Sequence, residues 1–263
     1  MTLEIGTAIR NGLRRVGTRN GLLLVALIFL VNGAGSLLGS SATGLVNRAG
    51  QFATGQVTDP GQIFAIGVGT GLASGLVGLL GFLLWIASIV LTIGAIRVLV
   101  SDETERLPPT AFTRNAGWAF LNFVVGAVVF AIAVAIGLAL FVVPGVFLLV
   151  TLAFWAVFVA VEDRNFVDAF RRSWALTKGS RLRLFALGVG VVLVSLVVAA
   201  LFGVPSALLG GAVGSLVVEV GTAVTTVFST AVLAQAYNQL KASAGEKYVE
   251  TEQRPSPAED TTA

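Results

Sequence analysis

Between Arg114 and Glu162, residues 115–161 read NAGWAFLNFVVGAVVFAIAVAIGLALFVVPGVFLLVTLAFWAVFVAV, 47 residues without a formal charge. A soluble fold needs charged or polar faces on its outer elements. A crossing of the bilayer's hydrocarbon core takes about 20 apolar helical residues at 1.5 Å each. This run is long enough for two crossings, and Val143-Pro144-Gly145 is the turn signal that divides it. The stretch therefore predicts a transmembrane hairpin, with spans at about Trp118 to Leu140 and Gly145 to Val161.

The rest of the chain repeats the pattern. Uncharged runs of 28, 37, 35 and 21 residues separate Arg19 from Arg48, Asp59 from Arg97, Arg183 from Glu219, and Glu219 from Lys241. They give spans at Gly21 to about Gly39, about Leu76 to Val98 with a Gly-rich helical extension from Ile63, Leu184 to Phe202, and Ala212 to Ala234. Breaks are expected at Gly203-Val204-Pro205 and Gly210-Gly211. The first apolar run exceeds the 7–15 residues typical of a signal-peptide core, so that helix is expected to be retained. The fold class is all-α: a polytopic transmembrane helical bundle of six spans arranged as three hairpins.

Charge placement tests this count independently, because Lys and Arg are held on the cytoplasmic side of short loops. Six spans with both termini inside place 16 of the 17 basic residues in the cytoplasm and only Arg48 outside. Seven spans would split them 13 to 4 at best. The expected organisation is a basic interfacial helix at 1–20, a membrane domain at 21–240 and a disordered cytoplasmic tail at 241–263. The largest external loop is expected at Ser40 to Gln62. A multi-pass cell-membrane protein follows.

Composition also excludes chemistry. The chain has no His and no Cys, so Ser-His-Asp and Cys-His catalysis, disulfides and the usual zinc sites are ruled out. No enzyme activity, cofactor, metal or nucleic-acid partner is expected. The bilayer itself is the expected partner, through anionic headgroups, together with other membrane proteins.

Each hairpin is preceded by a basic segment with interleaved apolar residues: Ala8-Ile9-Arg10-Asn11, Ala111-Phe112-Thr113-Arg114-Asn115 and Ala169-Phe170-Arg171-Arg172-Ser173. In the first, Ile5, Ile9, Leu13 and Val16 keep helical spacing, as do Phe166, Phe170 and Trp174 in the last. Both predict amphipathic helices in the interface, with Arg and Lys reaching headgroups. Gly67, Gly71, Gly75 and Gly78 line one helix face, expected to pack against another helix of the chain or a second copy.

Glu219 is the one ionisable residue inside a predicted span away from a cytoplasmic helix end, and Thr222, Thr226 and Thr230 lie near its face. One reading makes this stripe a polar path for a proton, cation or substrate. The other has Glu219 snorkel to water while the hydroxyls bond to their own helix. A small transporter or channel is thus the alternative to a non-catalytic protein that organises, anchors or assists other membrane components.

The segment from Val143 to Phe185 carries a Pro144-Gly145 turn, an acidic residue closing a span at Glu162, and the pattern Ala169-x-x-Arg172-Ser173-x-x-Leu176-Thr177-Lys178-Gly179. This resembles a family of six-helix membrane proteins that includes the membrane domain fused to some glycerophosphodiester phosphodiesterases and the YciC-like bacterial proteins. Ala156-Val157 stands where relatives often have Pro. The phosphodiesterase domain is absent, so the resemblance implies a membrane module and no esterase. Glu162, Arg172, Ser173, Lys178 and Gly179 form a candidate loop motif. In its structural reading, Glu162 pairs with Arg172 or Lys178 and locks an interfacial helix against the bundle.

Overall fold

The computed structural model describes residues 3–53, 60–101 and 107–252. Ten helices account for the described secondary structure: α1 (Ile5–Val16), α2 (Arg19–Ala53), α3 (Pro60–Val100), α4 (Thr110–Thr113), α5 (Ala116–Leu140), α6 (Val142–Thr151), α7 (Trp155–Glu162), α8 (Phe166–Thr177), α9 (Arg181–Leu209) and α10 (Gly211–Glu252). Six segments are long and apolar enough to cross a bilayer: Arg19–Gly44, Gly71–Val100, Ala116–Leu140, Val142–Glu162, Arg181–Leu209 and Gly211–Ala244. The all-α, six-span reading holds. Leu, Val and Ile along α5 and α9 remain exposed, as lipid-facing side chains are.

Several boundaries differ from the sequence reading. Helix α2 continues through Ser40, Ser41 and Thr43 to Ala53, and those hydroxyls are satisfied by the carbonyls of Leu37 and Gly39 on the same helix. Much of the expected loop at 40–62 is therefore helix, and residues 54–59 lie outside the described residues. Pro205 lies within α9, and the turn falls at Gly210 and Gly211, both with positive φ (61° and 52°) that suits glycine. Residues 241–252, expected to begin a disordered tail, are helical; their Ala, Lys and Glu content favours that. The remainder of that tail, 253–263, lies outside the described residues.

The chain divides into two compact units, one of Met1–Gly21, Ile93–Ser195 and Val227–Ala263, the other of Leu22–Thr92 and Leu196–Thr226. Within the second unit, Gly71, Gly75 and Gly78 are exposed, and a Cβ built on any of them would meet nothing within 4 Å. The expected packing of that ridge within the chain is not seen. Gly67 lies among residues whose side chains are not described.

The first unit holds most of the core. Its three pre-hairpin segments are the helices α1, α4 and α8, and each buries its alanine: Ala8, Ala111 and Ala169. In α1 the buried face is Ala8 and Gly12, which allows α10 so close that a Cβ on Gly12 would collide with the Val232 side chain. Its Ile and Leu stripe is left partly open, with Leu13 51% exposed. At the α5–α6 turn, Phe141 is extended, and a Cβ on Gly137 would lie 2.9 Å from the Gly145 Cα. Pro144 occupies the first turn of α6, where its missing N–H is not needed.

Candidate functional site

The fourth span is broken. In a continuous helix the Trp155 N–H would donate to the Thr151 carbonyl; instead it donates to the Leu152 carbonyl at 3.1 Å, and three turn residues separate the end of α6 at Thr151 from the start of α7 at Trp155. Two residues of the loop motif's helix meet the freed groups. Ser173 Oγ donates to the Thr151 carbonyl at 3.0 Å and accepts from the Phe154 N–H at 3.2 Å. Thr177 Oγ1 shares its proton between the carbonyls of Thr151 and Trp174, both at 3.2 Å. Thr151, Ser173 and Thr177 are fully buried, so no water substitutes for these bonds.

Helix α8 is placed for this task by its own sequence. Asn165 caps its N-terminus by accepting from the Asp168 N–H at 2.8 Å. Ala169, Ser173 and Thr177 fall four apart, forming one narrow buried stripe. The aromatic residues beside them pack into the first unit: Phe170 against Trp155 with centroids 5.7 Å apart, and Trp174 against Phe147 at 5.6 Å. Arg181 lies 4.8 Å from the ring centroids of Phe147 and Trp174. Gly179, at φ 88°, turns the chain into α9.

At the other end of α7, acids and cations form a network. Glu162 accepts from Tyr237 Oη and Lys241 Nζ, both at 2.8 Å, and from Arg172 at 3.3 Å. The sequence left Arg172 or Lys178 as its partner; the structure brings in Arg172, while Lys178 is exposed and carries no ion pair among the described residues. Tyr237 and Lys241 were not anticipated, and their spacing of four on one helix face was the available signal. Asp168 holds Arg172 at 3.1 Å.

Asp163, in the left-handed conformation that ends α7, binds Arg97 at 3.0 Å and Arg114 at 3.3 Å. Arg97 is buried and also donates to the carbonyls of Ala160, Ala111 and Arg114, while Arg114 reaches the Val161 carbonyl. These guanidinium groups satisfy carbonyls that a helix C-terminus leaves without intrahelical donors, at the end where positive charge is favoured.

The Glu219 stripe is different. Thr222 and Thr226 donate to the carbonyls of Val218 and Thr222 on their own helix. Glu219 is partly exposed and makes no hydrogen bond or ion pair among the described residues, and Thr230 lies farther along α10. No group of three His, Cys, Asp or Glu side chains that could hold a metal occurs among the described residues.

A charge-stapled helical core joined to six apolar spans defines a multi-pass membrane protein. Residues 3–240 match the family described as "Domain of unknown function (DUF7847)", and the chain belongs to that family. No curated protein and no solved structure matches it.

Proposed function

We propose that the protein is a non-catalytic membrane module whose basic end, facing the cytoplasm together with both termini, gathers anionic lipid and so organises or anchors neighbouring membrane components. One observation carries this reading. The acids Glu162, Asp163 and Asp168 engage Arg97, Arg114, Arg164, Arg172 and Lys241. Arg10, Arg14, Arg19, Arg171, Lys178 and Arg183 are exposed and have no acidic partner among the described residues. They lie on α1, the start of α2 and the α8–α9 corner, all within the first unit. Exposed unpaired cations beside apolar spans attract anionic headgroups, each contributing about 1 kcal/mol near the surface.

The test is lipid retention. The full chain purified in mild detergent should keep phosphatidylglycerol in preference to phosphatidylcholine. Replacing all six cations with Gln should abolish the preference while the protein still inserts. Equal retention of both lipids by the unaltered chain would refute the reading. The transport alternative gains nothing from Thr222 and Thr226, whose hydroxyl protons are used within α10.

A further inference from the structure

Where α1 turns into α2, a cleft of about 260 Å³ is lined by Asn11, Arg14, Arg15, Thr18 and Gln235. Two arginines and two carboxamide residues line it, and no acid does so among the described residues. Arg15 is fixed by donating to the Ser101 carbonyl at 2.7 Å. Thr18 donates to the Arg15 carbonyl at 2.7 Å and accepts from the Gly21 N–H at 3.1 Å, so it shields a terminal acceptor of α1 and caps the start of α2. The cleft thus sits where the last turn of α1 meets the start of α2, and its charge comes from the arginines of that turn. Arg14 forms no ion pair among the described residues, and no hydrogen bond occupies the side chains of Asn11 or Gln235 there.

We infer that this cleft is a binding site for a phosphate group, that of an anionic lipid headgroup or free phosphate. The inference rests on the proposed basic lipid-facing end but replaces a diffuse attraction with one defined pocket. Guanidinium groups match phosphate oxygens in charge and geometry, and carboxamides donate to the remaining oxygens. A metal cation is disfavoured by the two arginines, and no carboxylate lines the cleft among the described residues. The position also suits a lipid: the cleft lies at the start of the span Arg19–Gly44, where a headgroup's phosphate meets the hydrocarbon boundary.

The experiment uses the full chain in nanodiscs containing phosphatidylglycerol or, as a phosphate-free comparison, diacylglycerol, with bound lipid counted by native mass spectrometry. A parallel titration with inorganic phosphate in micelles tests the free anion. Arg14→Gln combined with Gln235→Leu should weaken phosphatidylglycerol binding about tenfold or more, since charge-assisted hydrogen bonds are lost. Arg14→Lys should retain part of it, and Arg171→Gln with Arg183→Gln should leave this bound lipid in place. Saturable phosphate binding lost in the same Arg14 and Gln235 variant supports the site with free phosphate as its ligand. If neither ligand responds to that variant while the six-cation variant loses lipid, the pocket is refuted and the diffuse reading stands. If the unaltered chain neither prefers phosphatidylglycerol to diacylglycerol nor binds inorganic phosphate saturably, both fall.

Discussion

Replacing Ser173 with Ala tests whether α8 holds the broken fourth span together. The change removes an acceptor from the buried Phe154 N–H and one of two hydroxyl donors from the Thr151 carbonyl. An unsatisfied buried N–H costs about 1–3 kcal/mol in soluble proteins, whereas single hydrogen bonds in membrane proteins average about 0.6 with a maximum near 1.7. The expected loss is about 1–2 kcal/mol. Thr177→Val should cost less, about 0.5 kcal/mol, because Ser173 still donates to the same carbonyl. The double variant strips that carbonyl of both donors and should exceed the sum of the single changes by roughly 0.5–1 kcal/mol. Thr151→Val is the shape control: Thr151 Oγ1 is buried without a partner, so its loss should not destabilise. Unfolding in mixed micelles, followed by the fluorescence of Trp155 and Trp174 beside the break, measures all four. If Ser173→Ala costs no more than Ser41→Ala, whose hydroxyl bonds only its own exposed helix, or if the double variant is additive, the latch argument is wrong.

Arg97→Gln should cost about 3–5 kcal/mol, because it leaves Asp163 with one cation fewer and three carbonyls without their donor; Arg97→Lys should recover under half, as one ammonium cannot span four acceptors. Gly12→Val should separate α1 from α10 and expose α1 to protease in membranes, whereas Gly6→Val, with open space around its Cβ, should not. Because the chain has no Cys, single substitutions report topology cleanly: Thr43→Cys should react with an impermeant maleimide added outside intact cells, and Ser243→Cys only after permeabilisation. Labelling of Ser243→Cys in intact cells would overturn the proposed orientation. Glu219→Gln should leave unfolding unchanged within about 0.5 kcal/mol, since the carboxylate has no described partner.

Apolar length and charge order made six spans legible, because both act through a property of every residue in a segment. The break after Thr151 was not legible. The Thr151-Leu152-Ala153-Phe154 stretch has no Pro or Gly, and the irregular backbone persists because hydroxyls 19 to 26 residues away satisfy it. Ser173 was visible as part of a pattern, but its partner was not, since sequence spacing reports neighbours on one helix and not those across two. Pro205 shows the reverse error: a helix breaker in water is accommodated within a membrane span, and glycines at positive φ make the turn five residues later. The alanine repeated in the three pre-hairpin segments was the better guide, marking the buried face of α1, α4 and α8.

The partition of charge yields a prediction that depends on folding itself. In α1 the exposed Arg10 and Arg14 are held together because Gly12 packs against α10; on the α8–α9 corner, Arg171, Lys178 and Arg183 are gathered because Ser173 and Thr177 pin α8 to Thr151. Unfolding within the bilayer would leave these cations near the interface but disperse them. Anionic lipid should therefore stabilise the folded state by only part of the about 1 kcal/mol that each cation gains near an anionic surface, on the order of 1–2 kcal/mol in all. Added salt should erase the gain, because screening at about 10 Å in 0.1 M salt weakens interactions between exposed charges. Thermal unfolding in nanodiscs of phosphatidylcholine, with and without a third of phosphatidylglycerol, at low and high salt, measures this. A stabilisation that survives high salt, or that persists when Arg10, Arg14, Arg19, Arg171, Lys178 and Arg183 are all Gln, would mean that the lipid acts on the apolar spans and that the unpaired cations carry no such role.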